Sequence, residues 1–292
     1  MKEQPPTSPS PMWTLLLITA AIGAVYLLLA LLEPAMIYHP SPEQEPTPAD
    51  LGMRFEDVVF ETADGERLRG WWLPPGGAGD GEGPLPALLF FHGNAGTRVN
   101  RLHNLGLLYR EGLGVFIFDY RGYGGSSGSP SEQGLISDGV AAFDWLAGRA
   151  AGRPIVLFGR SLGAAVAAQV ALLRPARGLI MESAFTSVPA MAKHVLPLPG
   201  ISRLVRTGFD NRKALAELDL PLLFIHGEQD ELVPFQMGRE LFEQARSPRK
   251  VFHAVPEGRH NDTYIAAGPD YIRRVVSFLE SISGRGSTGI PD

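Results

Sequence analysis

The chain has 292 residues, 45% of them hydrophobic, and a formal net charge of −5 with no basic block. That is apolar material enough for one large domain, and the charge pattern argues against a nucleic-acid partner. There is no cysteine, which excludes disulfides, thiolate metal sites, a cysteine nucleophile and S-acylation.

Residues 12–32 are uncharged and dominated by Leu, Ile, Ala and Val. About 21 residues rising ~1.5 Å each give roughly 31 Å, the thickness of a hydrocarbon core, so this stretch is expected to be a transmembrane anchor. A cleaved signal peptide has a shorter apolar region, and no Ala-x-Ala site follows this one. Trp13 and Tyr38 are placed to sit at the two membrane interfaces. Lys2 precedes the span, within the 1–11 flank, and no Lys or Arg follows before Arg54. The positive-inside rule then sets the N-terminus in the cytoplasm and the main domain outside it, in the periplasm if the source is bacterial. Residues 33–53, with Pro34, Pro40, Pro42, Pro46 and Pro48, read as an extended spacer between membrane and domain.

From residue 54 onward, strands and helices alternate. Residues 54–62 and 66–73 are β-rich runs around Ala63-Asp64-Gly65, a hairpin signal. Residues 75–84 contain five glycines and read as a loop. The apolar runs 86–92, 114–119, 154–159, 178–182 and 220–226 are short and continuous, as in parallel strands covered on both faces. Between them lie helical patterns at 97–111, 130–150, 162–174, 235–245 and 270–283. The second opens on Ser129-Pro130-Ser131-Glu132, a capping-box spacing with proline at the first helical position. Pro175 closes the third. Residues 183–219 break the rhythm with prolines and with Phe185, Met191, Val195, Leu196, Leu198, Ile201, Leu204 and Phe209. They are expected to form a small lid, at least part of it an ordinary surface helix. The 284–292 tail reads as disordered. No fixed period recurs, so a solenoid is excluded. The pattern predicts an α/β fold over 54–283, a mostly parallel sheet with helices on both faces.

Gly159-Arg160-Ser161-Leu162-Gly163 joins an apolar strand to a helix, the setting of a nucleophile elbow. Flanking glycines permit a tight turn that raises the serine hydroxyl above the sheet edge. Such a serine needs a base, normally a histidine oriented by a carboxylate. Of the seven histidines, His39 falls in the spacer, His103 in an outer helix, His194 in the lid and His253 within a strand. His92 and His226 each end a strand in a His-Gly pair, where packing near the site is the simpler role. His260 remains, in a loop after the last strand, where the chain order Ser…Asp…His puts the base. For the acid, Asp230 is preferred to Glu228 and Glu231 by motif context, and Glu182 at a strand end competes with it. Two backbone N–H donors are expected for an oxyanion: Leu162, and Asn94 in the loop His92-Gly93-Asn94-Ala95-Gly96. The glycine-rich Asp119–Gly128 stretch lacks both a dinucleotide fingerprint and a Walker lysine and is expected to be a structural loop.

Together, Phe91-His92-Gly93-Asn94-Ala95-Gly96, Asp119-Tyr120-Arg121-Gly122-Tyr123-Gly124, the 159–163 turn, Glu182-Ser183-Ala184-Phe185-Thr186-Ser187 and His260-Asn261-Asp262 resemble the α/β-hydrolase superfamily. The likeness is to its N-terminally anchored "alpha/beta hydrolase domain-containing" serine hydrolases. This resemblance implies an eight-stranded core, a Ser161–Asp230–His260 triad and hydrolysis of esters or thioesters without a metal or organic cofactor. Some members of the family remove fatty-acyl groups from proteins through cysteine-rich, lipid-anchored N-termini, which this chain does not have. The expected partners are a small-molecule or lipid-like acyl substrate, of short or medium acyl length given the modest lid, and the membrane. Rival readings are a peptidase, an amidase or a lipase on the same triad, and a non-catalytic membrane-tethered binding module.

Overall fold

The computed structural model describes residues 11–42, 45–76 and 85–283. Nearly all of the N-terminal flank, most of the 75–84 loop and the 284–292 tail lie outside the described residues. Helix α1 covers Pro11–Ile37, about 40 Å at ~1.5 Å per residue. Its length and apolar composition suit a membrane crossing, and its apolar window is unburied. It runs past the apolar stretch, so Glu33–Ile37, read from the sequence as the start of the spacer, are its last turns. Beyond it, His39 and Pro40 pair in parallel with Ala95 and Gly96. Tyr38, expected at a membrane interface, is instead packed into the domain core.

The domain is built on eight strands: β1 Glu56–Glu61, β2 Arg67–Leu73, β3 Ala87–Phe91, β4 Val115–Asp119, β5 Ile155–Arg160, β6 Gly178–Glu182, β7 Leu222–Gly227 and β8 Lys250–Val255. Their order across the sheet is β1-β2-β4-β3-β5-β6-β7-β8. β2 runs antiparallel to β1 and β4, and every other pairing is parallel. Alternate residues of the apolar runs serve opposite faces, which is why the runs are continuous. Leu89, Phe91, Phe116, Phe118 and Leu157 pack on one side. Leu88, Phe90, Ile117, Val156 and Phe158 pack on the other.

Helices α2 Leu102–Arg110, α3 Glu132–Arg149 and α4 Leu162–Leu173 follow β3, β4 and β5 in turn. β3 and β5 are neighbours although β4 lies between them in sequence. The strand order therefore reverses at their C-terminal ends, which opens a crevice there. Helix α4 is buried along most of its length, and its alanines allow close approach to the sheet.

α3 starts later than its sequence signature suggests. Ser131 is the N-cap and accepts from the Gly134 N–H at 3.1 Å. Glu132 does not close a capping box with Ser129. Its carboxylate reaches away from the helix and accepts from the Gly208 and Phe209 N–H groups at 2.6 and 2.7 Å. Phe209 sits at φ 37 with its ring fully buried, a costly backbone for a bulky residue that these bonds and the burial offset.

In the 183–219 stretch the structure distinguishes two parts. Helices α5 Val188–Val195 and α6 Ile201–Leu204 lie over the crevice. Helix α7 Asn211–Glu217 packs into the body through Ala214 and Leu215. Helices α8 Phe235–Gln244, α9 Thr263–Ala266 and α10 Pro269–Ser283 complete the fold.

Candidate active site

Ser161 stands between β5 and α4 at φ 53, ψ −119, a strained conformation for a non-glycine residue. Packing enforces it. A Cβ on Gly159 would strike the backbone of Gly163 and Ala164, and one on Gly163 would strike the carbonyls of Phe91 and His92. Both flanking positions therefore require glycine for close approach rather than for turn geometry alone. The Ser161 N–H donates to the Glu182 carbonyl at 2.9 Å.

Asp230 follows β7 and His260 follows β8. The His260 Nδ1 lies 2.8 Å from Asp230 Oδ2 and 3.0 Å from Oδ1. The carboxylate is shut off from solvent and also accepts from the Leu232 and Val233 N–H groups at 2.9 and 2.7 Å. Burial works to raise the Asp230 pKa. It is outweighed by the hydrogen bonds from His226 and His260, by the His260 charge and by the Val233 N–H, so the carboxyl is held well below its usual range.

The competing acids have other positions. Glu231 accepts from the His260 backbone N–H at 3.2 Å. Glu182 is fully buried, where it accepts from the Thr263 and Tyr271 hydroxyls. Glu228 is exposed.

Ser161, Leu162, Asn94 and His260 all line one cavity. The Ser161 Oγ–His260 hydrogen bond is not formed in this structure, and such bonds commonly tighten only around a bound substrate. The loop after β3 comes up beside Ser161, since a Cβ on Gly93 would stand 3.7 Å from the Ser161 Cβ. The Asn94 carbonyl accepts from the Tyr123 hydroxyl at 2.8 Å and from the His39 N–H at 3.0 Å. Its side-chain amide donates to the Ile37 carbonyl at 3.0 Å. The last turn of α1 and the residues just after it therefore fix this loop in place.

Below the loop, Asp119 accepts from the Arg98 guanidinium and N–H, with the His92 ring nearby at 3.4 Å. The glycine-rich stretch after Asp119 is a packed turn, with Ser126 donating to the Asp119 carbonyl.

Four residues make site contacts that the sequence pattern does not specify, although it places His226 near the site. The Arg160 guanidinium, fully buried, donates to the His260 carbonyl and so steadies the loop that carries the ring. The His226 Nε2 lies 3.4 Å from Asp230 Oδ2, the oxygen that His260 Nδ1 also approaches. Glu33 and Ile37 of α1 line the cavity. His226 carries one usable signal, four residues before Asp230 at a strand end. The others carry none, because their partners are distant in sequence. Among the described residues, no three His, Asp or Glu side chains are grouped as metal ligands.

A family model described as serine aminopeptidase, S33, matches residues 83–208 and 191–263. Over 246 residues the chain is 39% identical to an uncharacterised protein of Mycobacterium tuberculosis, spanning 84% of this chain and 86% of that one. Over 254 residues it is 37% identical to the alpha/beta hydrolase domain-containing protein WAV2 of Arabidopsis thaliana, spanning 80% and 81%. Among solved structures, an esterase of Pyrococcus furiosus superposes with a TM-score of 0.70 at 22% identity, over 84% of this chain and 98% of that one. At that identity the likeness is one of fold alone.

Proposed function

The chain belongs to the α/β-hydrolase superfamily, and from that premise we propose that it is a membrane-anchored serine hydrolase of carboxylic esters or thioesters. The observation that carries this reading is the Asp230–His260 pair at 2.8 Å, on a cavity that Ser161 shares at its strained turn. Ser161 Oγ attacks the substrate carbonyl carbon while the His260 Nε2 takes its proton. The charge that develops on the carbonyl oxygen is met by the Leu162 and Asn94 N–H groups. His260 returns the proton to the departing alcohol or thiol. Water, deprotonated by His260, then splits the acyl-enzyme to the free acid. Asp230 holds the imidazole with its Nδ1–H inward and stabilises the imidazolium. None of these steps needs a metal or organic cofactor.

The matching family model's description raises an aminopeptidase as the second reading. An aminopeptidase must hold a substrate ammonium near the nucleophile. Among the described residues, the one carboxylate on the cavity wall is Glu33, and it already accepts from the Arg206 and Thr207 N–H groups. An apolar acyl group suits this wall better than an ammonium does. A silent binding module would have no use for a strained serine that shares a cavity with a His–Asp pair.

Helix α1 serves as a retained anchor in this reading, with the N-terminus cytoplasmic and the catalytic domain on the far side. The full-length protein should stay in the membrane fraction after a carbonate wash, and its release would argue for a cleaved or peripheral segment. For the chemistry, short p-nitrophenyl esters should be turned over by the wild type. Ser161→Ala should lower kcat by about a millionfold, as for other triad serines. Undiminished turnover by that variant would sink the hydrolase reading.

A further inference from the structure

We propose that the substrate is a long-chain carboxylic ester lipid drawn from the bilayer that holds α1, and that α1 is itself one wall of the acyl-binding cavity. This rests on the reading of Ser161 as an acyl-transfer nucleophile. The cavity reaching out from Ser161 and His260 measures about 530 Å³, within the ~300–1,000 Å³ usual for small-molecule sites. Leu29, Ala30 and Met36 of α1 line it together with Met191, Val195 and Leu204 of the lid. That is more room than a short acyl group needs, in contrast to the short or medium length expected from the sequence.

The lid is fixed to α1 at one point inside the apolar run, Tyr26, and at one just past its end, Glu33. The Tyr26 hydroxyl donates to the Pro199 carbonyl at 2.6 Å. Glu33, buried, accepts from the Arg206 and Thr207 N–H groups at 2.9 and 2.7 Å. Tyr26, Leu29, Ala30, Glu33 and Ile37 recur at helical spacing and form the face turned to the domain. Tyr26 lies about 9 Å along the helix axis from Leu32, the end of the uncharged stretch. Any bilayer that α1 crosses therefore also meets the lid segment that Tyr26 touches.

The lid surface suits that position. Val195 and Leu198 are 63% and 41% exposed, in the same segment as exposed Lys193, Arg203 and Arg206. Residues 188–209 contain no Asp or Glu, in a chain whose net charge is −5. Apolar side chains interleaved with basic ones are the composition of a segment lying in the headgroup boundary, buried roughly 5–10 Å. The cavity mouth then faces acyl chains rather than water. A lipid tail sliding between α1 and α5 stays out of water throughout and brings its ester carbonyl to Ser161.

The test uses the full-length chain in phosphatidylcholine vesicles containing a quarter phosphatidylglycerol, with methylumbelliferyl hexadecanoate and butanoate as probes. The wild type should prefer the hexadecanoate in kcat/KM. Ala30→Trp, which fills the α1 wall, should lower the hexadecanoate-to-butanoate ratio at least about tenfold. Leu17→Trp, on the open side of α1, should keep the wild-type ratio. Ala30→Leu serves if the tryptophan lowers the melting temperature. Ser161-dependent butanoate turnover with a ratio unmoved by either Ala30 variant, or a wild type that prefers the butanoate, overturns this inference alone. If neither ester is turned over beyond the Ser161→Ala background, the hydrolase reading fails and this inference falls with it.

Discussion

At Asp230 one carboxylate takes the His260 Nδ1–H and the N–H groups of Leu232 and Val233, with the His226 ring beside it. Three donors and a neighbouring ring keep it ionised well below the usual carboxylate range despite its burial. A carboxyl depressed in the folded protein contributes stability that is present above its unfolded pKa of about 3.9 and is lost as pH falls through the folded value. Asp230 therefore adds no titration of its own above about pH 4, and kcat/KM should show no step from this carboxyl there. Asp230→Asn offers an amide that can hold the wrong imidazole tautomer, and kcat should drop by about ten-thousandfold with KM little altered. An activity within about tenfold of wild type would remove Asp230 from the proposed triad. The Asp230–His260 pairing was legible because each residue follows a strand end in a recognisable local pattern. Arg160 was not legible, because its bond to the His260 carbonyl spans 100 residues and no local pattern encodes it.

At the level of elements, two carboxylates from different helices hold four successive amides of the lid's return. Glu33 of α1 takes Arg206 and Thr207, and Glu132 of α3 takes Gly208 and Phe209. The sequence offered a local reading of Glu132, a capping box with Ser129, and the tertiary demand prevailed. Buried N–H groups without an acceptor cost about 1–3 kcal/mol each, and these four lie where the chain turns from the lid into α7. Glu132→Ala should therefore destabilise the protein by about 2–4 kcal/mol and speed hydrogen exchange at the Gly208 and Phe209 amides. Exchange at the wild-type rate there would show that the carboxylate does not hold them. Five parallel strands and most helix bounds were readable from continuous apolar runs and helical spacing, whereas β8, half-buried and carrying Lys250 and His253, has no such run. The division of 183–219 into a covering pair, α5 and α6, and a packed helix, α7, was not readable in detail, since both parts are apolar and punctuated by proline.

Across the whole molecule, the N-terminal helix is where sequence and structure differ most in meaning. Residues 12–32 are apolar on all sides, so no amphipathic stripe announces that one face would meet the domain. The structure nevertheless lays Leu29, Ala30 and Glu33 on the cavity and ties Ile37 and His39 to Asn94. Helix α1, the lid and the Asn94 loop are thus joined by direct hydrogen bonds, and a spacer-like reading of 33–40 misses that connection. What the whole arrangement stands or falls on is the reactivity of Ser161. The most direct measurement is fluorophosphonate labelling of the full-length protein in phosphatidylcholine vesicles, followed by peptide mass mapping of the adduct. The expected result is a single adduct on Ser161, absent from Ser161→Ala and strongly slowed in Asp230→Asn. A protein left unlabelled, or one labelled equally in Ser161→Ala, would contradict the assignment of Ser161 as the nucleophile.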